Sequence, residues 1–434
     1  MSYFLIIGLM LELAFIYCAN GKNIVSPSFI ACGMFIFSTF MFIMGRSYFL
    51  YEISLKTVLT VCIFCFFIFI GEYCANRYKL VFSSNHKSCH VRNNEYIKVS
   101  QVVIMFFSIF VLIVSVYYFL EVYKFSLKVG NRPGNYFLTS KYVRESHMYS
   151  KSFFVSQGTL ISECIVYLCV YIYCNNQMIG KKEKITLLPV VCYLPSIFAA
   201  NDRSGLLRTL TIICMIIFVF VKKKDNWTSK SNFRIIKIGL FCIVFFLIVF
   251  RLLGYRTETS IRNPLIENIL EYTAASLVGL DMFLTGKIQF ENVVFGQSTL
   301  KYIYYAISEF GFDIPEFPRF NPFYFYGRSA NSNIYTGLQG YIQDYSYIGG
   351  LFAMFFWGYF ITTLFNKIRD GKDSFFNVCV MGMIFYPVVM ISIGDVTSSV
   401  LCLTMIYTIV YLKLLQYYIA EERIQTKVFK FKLN

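Results

Sequence analysis

The chain has 434 residues, of which 57% are hydrophobic and only 15% are charged, and its formal net charge is +16. Soluble domains usually carry about 25% charged residues, so this composition excludes a soluble globular protein and indicates one that crosses a membrane many times. The positive charge does not indicate a nucleic-acid partner, because the cations lie in short loops between apolar blocks, as membrane topology requires.

Apolar blocks of the length needed to cross the hydrocarbon core, about 20 residues, predict eleven membrane-spanning helices. In chain order the predicted spans are 2–19, 24–45, 55–75, 99–120, 153–174, 185–200, 206–221, 235–253, 347–365, 375–394 and 400–418. The sixth and seventh spans are short and are predicted to form a tight hairpin around residues 201–205.

The distribution of Lys and Arg sets the orientation, because short cytoplasmic loops carry an excess of these residues. They cluster at 181–184, 222–234 and 367–372 and in the C-terminal tail, which places the C-terminus in the cytoplasm and the N-terminus outside. The predicted regions are helices 1–4 (1–120), a basic exterior loop (121–152), helices 5–8 (153–253), a large exterior loop (254–346), and helices 9–11 with a cytoplasmic tail (347–434).

One fairly apolar segment, residues 264–285, is predicted to be an amphipathic helix lying at the outer surface. Counting it as a span would move the basic tail outside. It also carries Glu267, Glu271 and Asp281, which are costly at membrane depth.

Arginines in exterior segments break the positive-inside pattern and form a candidate anion-binding set. Arg132 and Arg144 lie in the first exterior loop, Arg203 stands just before a helix at the predicted hairpin tip, and Arg251 and Arg256 flank the exit of the eighth span. The rigid guanidinium fork suits phosphate, and so do the N–H groups at a helix N-terminus. A solvated face, or snorkelling in the case of Arg251, is the competing interpretation.

The segment from Arg328 to the ninth span is dense in hydrogen-bonding and aromatic side chains, among them Asn333, Tyr335, Tyr341 and Asp344. Aromatic faces beside amide and carboxylate groups suit a pyranose, whose C–H faces stack and whose hydroxyls need partners. An interfacial aromatic belt with turn residues is the alternative. For Asp344, a structural cap before the span 347–365 is an open interpretation beside a role as base.

The histidines and cysteines do not indicate a metal site or a disulfide framework. His86, Cys89 and His90 are close in sequence but lie in a short cytoplasmic loop that lacks a further ligand. His147, in the basic exterior loop, is a weak catalytic candidate. No metal or other cofactor is therefore predicted.

Residues 333–338 (Asn-Ile-Tyr-Thr-Gly-Leu), followed by Tyr341, Asp344 and Gly349 before a span, resemble the Wzy family of O-antigen (oligosaccharide repeat unit) polymerases. The Arg203-Ser-Gly sequence before a span and the large exterior loop between late spans are similar as well. The resemblance implies a glycosyltransferase C-like architecture in the bacterial inner membrane, with the active site facing the periplasm.

The resemblance further implies the reaction. Such enzymes move a growing glycan from undecaprenyl pyrophosphate onto a newly flipped, lipid-linked repeat unit, without nucleotide sugar, metal or other cofactor. A separate protein that regulates chain length is the expected protein partner. Arg203 and Arg328 are then the leading pyrophosphate ligands and Asp344 the preferred base, with Asp202 and Glu309 as weaker candidates. Further substrate-binding residues are predicted to be Arg251, Arg256, Arg132, Arg144, Asn333, Tyr335 and Tyr341.

Three other functions fit parts of the pattern. A lipid-linked oligosaccharide flippase would use a basic cavity but usually has short loops. An O-antigen ligase shares the carrier and topology but hands the glycan to lipid A core. A membrane sensor without catalysis would leave the exterior arginines unexplained.

Overall fold

A computed structural model describes residues 1–82, 96–128, 149–200, 203–252, 265–291, 293–315, 317–318, 321–327 and 330–431. Of the residues that the structure describes, 76% are helical, and seven of their helices are long and apolar enough to cross a membrane. This agrees with the predicted all-α membrane protein. The count of eleven spans and the glycosyltransferase C-like arrangement remain predictions.

The described helices, in chain order, are α1 (Ser2–Ala19), α2 (Pro27–Met44), α3 (Arg46–Phe49), α4 (Leu55–Phe82), α5 (Gln101–Lys128), α6 (Phe153–Met178), α7 (Leu188–Cys192), α8 (Leu194–Ala200), α9 (Arg203–Lys224), α10 (Asn232–Leu252), α11 (Leu265–Leu284), α12 (Lys301–Glu309), α13 (Gly337–Arg369), α14 (Phe375–Met390) and α15 (Leu403–Phe431). Turns of 3₁₀ helix lie at Lys184–Leu187, Ser229–Ser231 and Thr397–Ser399. Strands β1 (Tyr324–Tyr326) and β2 (Ala330–Ser332) pair antiparallel.

The predicted span 185–200 is not one continuous helix. It is broken into a 3₁₀ turn followed by α7 and α8, and Pro189 and Pro195 each stand at the second position of one of these short helices. Proline lacks the backbone N–H and clashes with the preceding turn, so each of these positions favours a break or a kink in a long helix. A proline is tolerated in the first turn, which explains where the two helices begin.

The chain folds into two compact units, each assembled from segments that are distant in sequence. Unit 1 comprises Met1–Ser88, Pro264–Lys367 and Ile384–Met405, and unit 2 comprises Cys89–Asn263, Ile368–Met383 and Ile406–Asn434. The first three predicted spans therefore share a unit with the large predicted exterior loop.

In unit 1, helices α4 and α13 cross in backbone contact. A Cβ at Gly71 of α4 would lie 2.0 Å from the carbonyl oxygen of Phe355, and one at Gly358 of α13 would lie 2.1 Å from that of Ile68. Small residues let membrane helices approach this closely, and packing then supplies the attraction. The crossing fixes α13, whose first turns carry the candidate site described below.

Helix α13 begins at Gly337, earlier than the span predicted to start at 347. Ser346 interrupts it with φ 62° and ψ 177°, so residues 337–345 form a separate helical segment before the kink. The backbone N–H of Gly337 donates to the carbonyl of Ile391 at 2.8 Å, which ties this segment to the chain after α14.

Helix α11 lies where the amphipathic helix 264–285 was predicted, but residues 274–281 are all buried within unit 1, so this part of the helix has no exposed face. It packs against α2 and α4. Asp281 is 1% exposed, and its carboxylate accepts hydrogen bonds from the Tyr51 hydroxyl (2.8 Å), the Ser54 backbone N–H (2.6 Å) and the Thr57 hydroxyl (2.7 Å). The three hydrogen bonds offset the cost of burying the Asp281 carboxylate, which would be high in contact with lipid.

An ion pair in unit 2 bears on whether α11 crosses the membrane. The ammonium group of Lys223, before α11, pairs with the carboxylate of Asp373, after α13, and both side chains are 14% exposed. The two residues must lie on the same side, so an even number of crossings separates them. If α10 and α13 are spans, as predicted, α11 is not a full crossing.

Candidate functional site

Unit 1 contains a cleft of about 450 Å³, hereafter the unit 1 cleft. This volume falls within the range of roughly 300–1,000 Å³ that is typical of small-molecule sites. Its polar lining includes Gln297, Ser298, Lys301, Asn321, Gln343, Asp395 and Ser398, and its aromatic lining Phe290, Tyr302 and Phe317. Amides, the carboxylates of Asp395 and Glu291, an ammonium group and rings thus line one space, a combination suited to a sugar.

The carboxylate of Asp395 reaches the cleft because α13 has a glycine opposite it. A Cβ at Gly340 would lie 2.3 Å from Oδ2 of Asp395 and 3.1 Å from the Ser298 hydroxyl oxygen. The other oxygen, Oδ1, accepts from the backbone N–H of Thr397 at 3.0 Å. The aspartate is half-buried, so part of it is reachable from the cleft.

Burial raises the pKa of Asp395 to about 6, although the hydrogen bond from Thr397 lowers it, and the nearby charge of Asp344 raises it further. Among the described residues, no lysine or arginine forms an ion pair with Asp395. Because its pKa lies near neutrality, the group can exchange a proton under physiological conditions, which a catalytic acid or base needs.

Lys301 supplies the positive charge in the cleft. Its ammonium group donates to the carbonyl of Pro318 at 3.2 Å, and burial lowers its pKa. Gln297 holds the segment before it, because its side chain accepts from the Val293 N–H at 2.8 Å and donates to the Glu291 carbonyl at 3.1 Å.

Asp344, the predicted base, caps the turn that leads into α12. Its carboxylate accepts from the backbone N–H groups of Ser298 (3.0 Å) and Thr299 (2.7 Å) and from the Thr299 hydroxyl (2.8 Å). The alternative role predicted for Asp344 was a cap before the span 347–365, whereas the residue lies inside α13, next to the cleft residue Gln343, and its carboxylate caps the turn at Ser298 and Thr299. Its role as a base remains a prediction.

Two of the predicted sugar-binding rings lie behind the cleft lining. Tyr335 is 2% exposed, donates its hydroxyl to the Pro322 carbonyl at 2.8 Å and packs edge-on against Phe290 with ring centroids 5.0 Å apart. Tyr341 is 5% exposed, and its hydroxyl is 2.8 Å from that of Thr397. In these positions they support the lining, and their direct contact with a sugar remains a prediction.

The other predicted residues are placed less fully. Asn333 is half-buried after β2, and Glu309 is exposed at the end of α12. Arg203 is the first residue of α9 and Arg251 lies near the end of α10, but their side chains are outside the described part of the structure. The remaining candidates lie wholly outside the described residues: Arg132, Arg144, Asp202, Arg256, Arg328, His86, Cys89, His90 and His147.

Unit 2 holds a buried ion pair that the sequence analysis missed. Nη2 of Arg208 in α9 lies 3.2 and 3.3 Å from the two carboxylate oxygens of Glu163 in α6, and the Tyr193 hydroxyl donates to the same carboxylate at 2.9 Å. The available signal was one charged residue inside each of two predicted spans, because such residues are rare at membrane depth and are usually paired.

Within the described residues, no group of three or more His, Cys, Asp and Glu side chains is arranged to hold a metal ion. Comparisons with known proteins found no family model, no curated protein and no solved structure that matches this chain. The function is therefore argued from the residues and their geometry.

Proposed function

We propose that this protein is a membrane glycosyltransferase of the O-antigen polymerase type. It would join oligosaccharide repeat units carried on undecaprenyl pyrophosphate at the periplasmic face of the bacterial inner membrane, releasing undecaprenyl pyrophosphate. The unit 1 cleft would hold the reacting sugar, and the periplasmic arginines would hold the lipid-linked pyrophosphate.

The observation that carries the proposal is the composition and position of the unit 1 cleft. Its lining comes from residues 289–322 and 343 and from residues 395–398, and the charge distribution assigns both of these segments to the exterior face. A sensor or a simple carrier does not need a carboxylate, a lysine, amides and rings around one exterior space, whereas a sugar-modifying enzyme does.

The chemistry needs no general acid, because pyrophosphate leaves without being protonated first. Two carboxylates flanking the scissile bond, as in most glycosidases, are therefore unnecessary. The reaction needs cations where negative charge grows on the leaving phosphate. Arg203 and Arg328 are proposed for this role, with Arg251 and Arg256 beside them and Arg132 and Arg144 holding the second carrier. No cofactor is involved, because the donor is already activated.

The direct test uses purified protein in detergent with undecaprenyl-pyrophosphate-linked repeat units. A polymerase yields a ladder of longer glycans and free undecaprenyl pyrophosphate without a sealed compartment. A flippase yields no new glycan under these conditions. Supplying lipid A core as a second acceptor separates the ligase, which would transfer the glycan to the core and leave the repeat units unjoined.

A cellular test addresses the arginines. In a deletion strain complemented with Arg203→Ala or Arg328→Ala, we expect normal insertion and lipid A core capped with single repeat units, read as lipopolysaccharide bands on a gel. Wild-type chain length in both variants would remove these two residues from the active site while leaving the polymerase assay as an independent test of the function.

A further inference from the structure

The unit 1 cleft adjoins two aspartates whose surroundings differ. The carboxylate of Asp344 accepts three different donors from Ser298 and Thr299, at the start of α12. Asp395 itself lines the cleft, where its carboxylate accepts a hydrogen bond from the Thr397 N–H at 3.0 Å and further hydrogen bonds from the Thr397 and Ser298 side chains. The two aspartates differ in access, because Asp395 is among the residues that line the cleft, where an acceptor hydroxyl can approach its carboxylate, and Asp344 is not.

The surroundings of Asp395 keep its carboxylate at the cleft. Gly340 leaves the space that Oδ2 occupies, because a Cβ there would lie 2.3 Å from that oxygen. Tyr341 on the same helix has its hydroxyl 2.8 Å from that of Thr397 and so supports the loop that carries the aspartate. Gln343, which lines the cleft, receives a hydrogen bond from the Gln339 amide at 2.6 Å, which orients its own side chain.

Resting on the proposed function, we propose that Asp395, rather than Asp344, is the catalytic base that takes the proton from the acceptor sugar hydroxyl. The hydroxyl oxygen attacks the anomeric carbon of the donor glycan and forms the glycosidic bond. The bond from that carbon to the pyrophosphate oxygen breaks, and its electron pair leaves with the pyrophosphate. The proton passes to Asp395 and then to water. A single displacement of this kind inverts the anomeric configuration.

The pH dependence follows from the groups that face Asp395. Burial and the nearby charge of Asp344 on α13 raise its pKa to about 6, against hydrogen bonds from Thr397 and Ser298 that lower it, and Lys301 on α12 and Glu291 line the same cleft. A base must be deprotonated to act, so kcat is low below pH 6, rises through that value and then levels off.

The test measures kcat and KM for the lipid-linked acceptor as functions of pH, in wild-type protein and in Asp395→Asn. We expect the substitution to lower kcat by about 10²–10⁴-fold, to change KM much less, and to abolish the rise of the residual rate near pH 6. Asparagine retains an oxygen that can accept from Thr397.

A stability measurement separates catalysis from a structural role. The pKa of Asp395 is higher in the folded protein than in the unfolded chain, so the protonated form stabilises the fold at low pH. This contribution to the free energy of unfolding is lost as pH rises through the folded-state pKa of about 6. At neutral pH the uncharged Asp395→Asn protein is therefore expected to melt at a temperature no lower than wild type. A structural aspartate would instead show a lower melting temperature together with the loss of rate.

A second pair of variants tests the geometry without touching the carboxyl group. Gly340→Ala places a Cβ against the carboxylate of Asp395 and is expected to lower kcat at least 10-fold. Gly394 precedes Asp395 in the sequence, but a Cβ built there meets no atom within 4 Å, so Gly394→Ala is expected to keep the wild-type rate.

The outcomes distinguish the two proposals. A wild-type protein that fails to extend lipid-linked repeats refutes the proposed function itself. If the wild-type protein does polymerise, two results would overturn only the assignment of the base. One is a wild-type rate in Asp395→Asn, and the other is a wild-type kcat that does not change with pH near 6.

Discussion

The two units treat their buried carboxylates differently. In unit 2, Glu163 is paired with Arg208, and the two side chains are 12% and 28% exposed. In unit 1, Asp395 lines a cleft of about 450 Å³, and among the described residues no basic side chain forms an ion pair with it. The first charge is neutralised by a guanidinium group inside the helix packing, and the second is held beside open space by uncharged donors of Thr397 and Ser298.

This difference separates a structural charge from a chemical one. A buried ion pair adds little net stability, but removing one partner is costly because the other charge stays buried. A lone carboxylate with a perturbed pKa in a cleft is a typical sign of a functional site. The comparison predicts that substitutions at the Glu163–Arg208 pair lower the free energy of unfolding, whereas substitutions at Asp395 lower the rate of polymerisation.

The largest stability effect is expected from Glu163→Ala, which leaves the Arg208 guanidinium without its carboxylate at the α6–α9 contact. We expect a loss of about 3–5 kcal/mol, the usual cost of breaking a buried pair. Equilibrium unfolding of the purified protein in mixed detergent measures it. The double variant Glu163→Leu with Arg208→Leu is the control and should recover most of the loss. A double variant as unstable as the single one would show that the pairing is not what Glu163 contributes.

A smaller loss of stability is expected from Gly358→Ala, because the added methyl group meets the Ile68 carbonyl at the α4–α13 crossing. Overpacking of this kind costs about 1–3 kcal/mol. Since α13 also carries Gln343 of the cleft lining and Gly340 beside Asp395, polymerisation should fall as well. Gly33→Ala in α2, where no atom lies within 4 Å, is the matched control and should be neutral in both assays. Equal melting temperatures for the two variants would contradict the close crossing.

Removal of the Asp344 carboxylate is expected to have a modest effect on stability. Asp344→Ala deprives the Ser298 and Thr299 backbone N–H groups of their acceptor, and loss of such a cap costs about 1 kcal/mol. Thermal unfolding measures the loss. If Asp395 is the base, the pH at which the remaining activity rises shifts only slightly downward, since one neighbouring negative charge is gone. Loss of the pH dependence in this variant would return the role of base to Asp344.

The smallest effect is expected at Arg46, which pairs with Glu52 at 2.8 Å at the edge of unit 1. Both side chains are mostly exposed, at 59% and 74%, so solvent screens the pair. Arg46→Ala should leave the melting temperature and the polymerisation rate unchanged within error. A clear destabilisation would show that this pair is buried in the working protein.

Much of the helical layout follows from local sequence. The apolar blocks that predict spans coincide with α1, α2, α5, α6 and most of α4, since a run of apolar residues of membrane length has few other stable solutions. The break in the predicted span 185–200 is also local, because Pro189 and Pro195 each remove a donor. The helical segment of α13 before Ser346, residues 337–345, was not predicted, because its aromatic and polar residues are equally typical of an exterior loop.

The candidate site was predicted in part. The segment around Asp344 and Tyr341 does lie at the cleft, and three of the residues singled out there pack directly behind its lining. Asp395 was missed because it stands in a short loop between two spans, where an aspartate ordinarily needs no explanation. The residues next to Asp395 in the sequence do not indicate that Gly340, 55 positions earlier, leaves room for its carboxylate.

The amino-acid sequence by itself determined that the chain belongs in a membrane, where its long helices lie and which loops carry positive charge, because these properties depend on composition and on neighbours along the chain. The tertiary structure decided which polar residues are structural and which face a cleft. Burial and pairing depend on helix crossings between distant segments, as at Gly71 and Gly358, and on which side chain a distant glycine admits, as at Gly340 and Asp395.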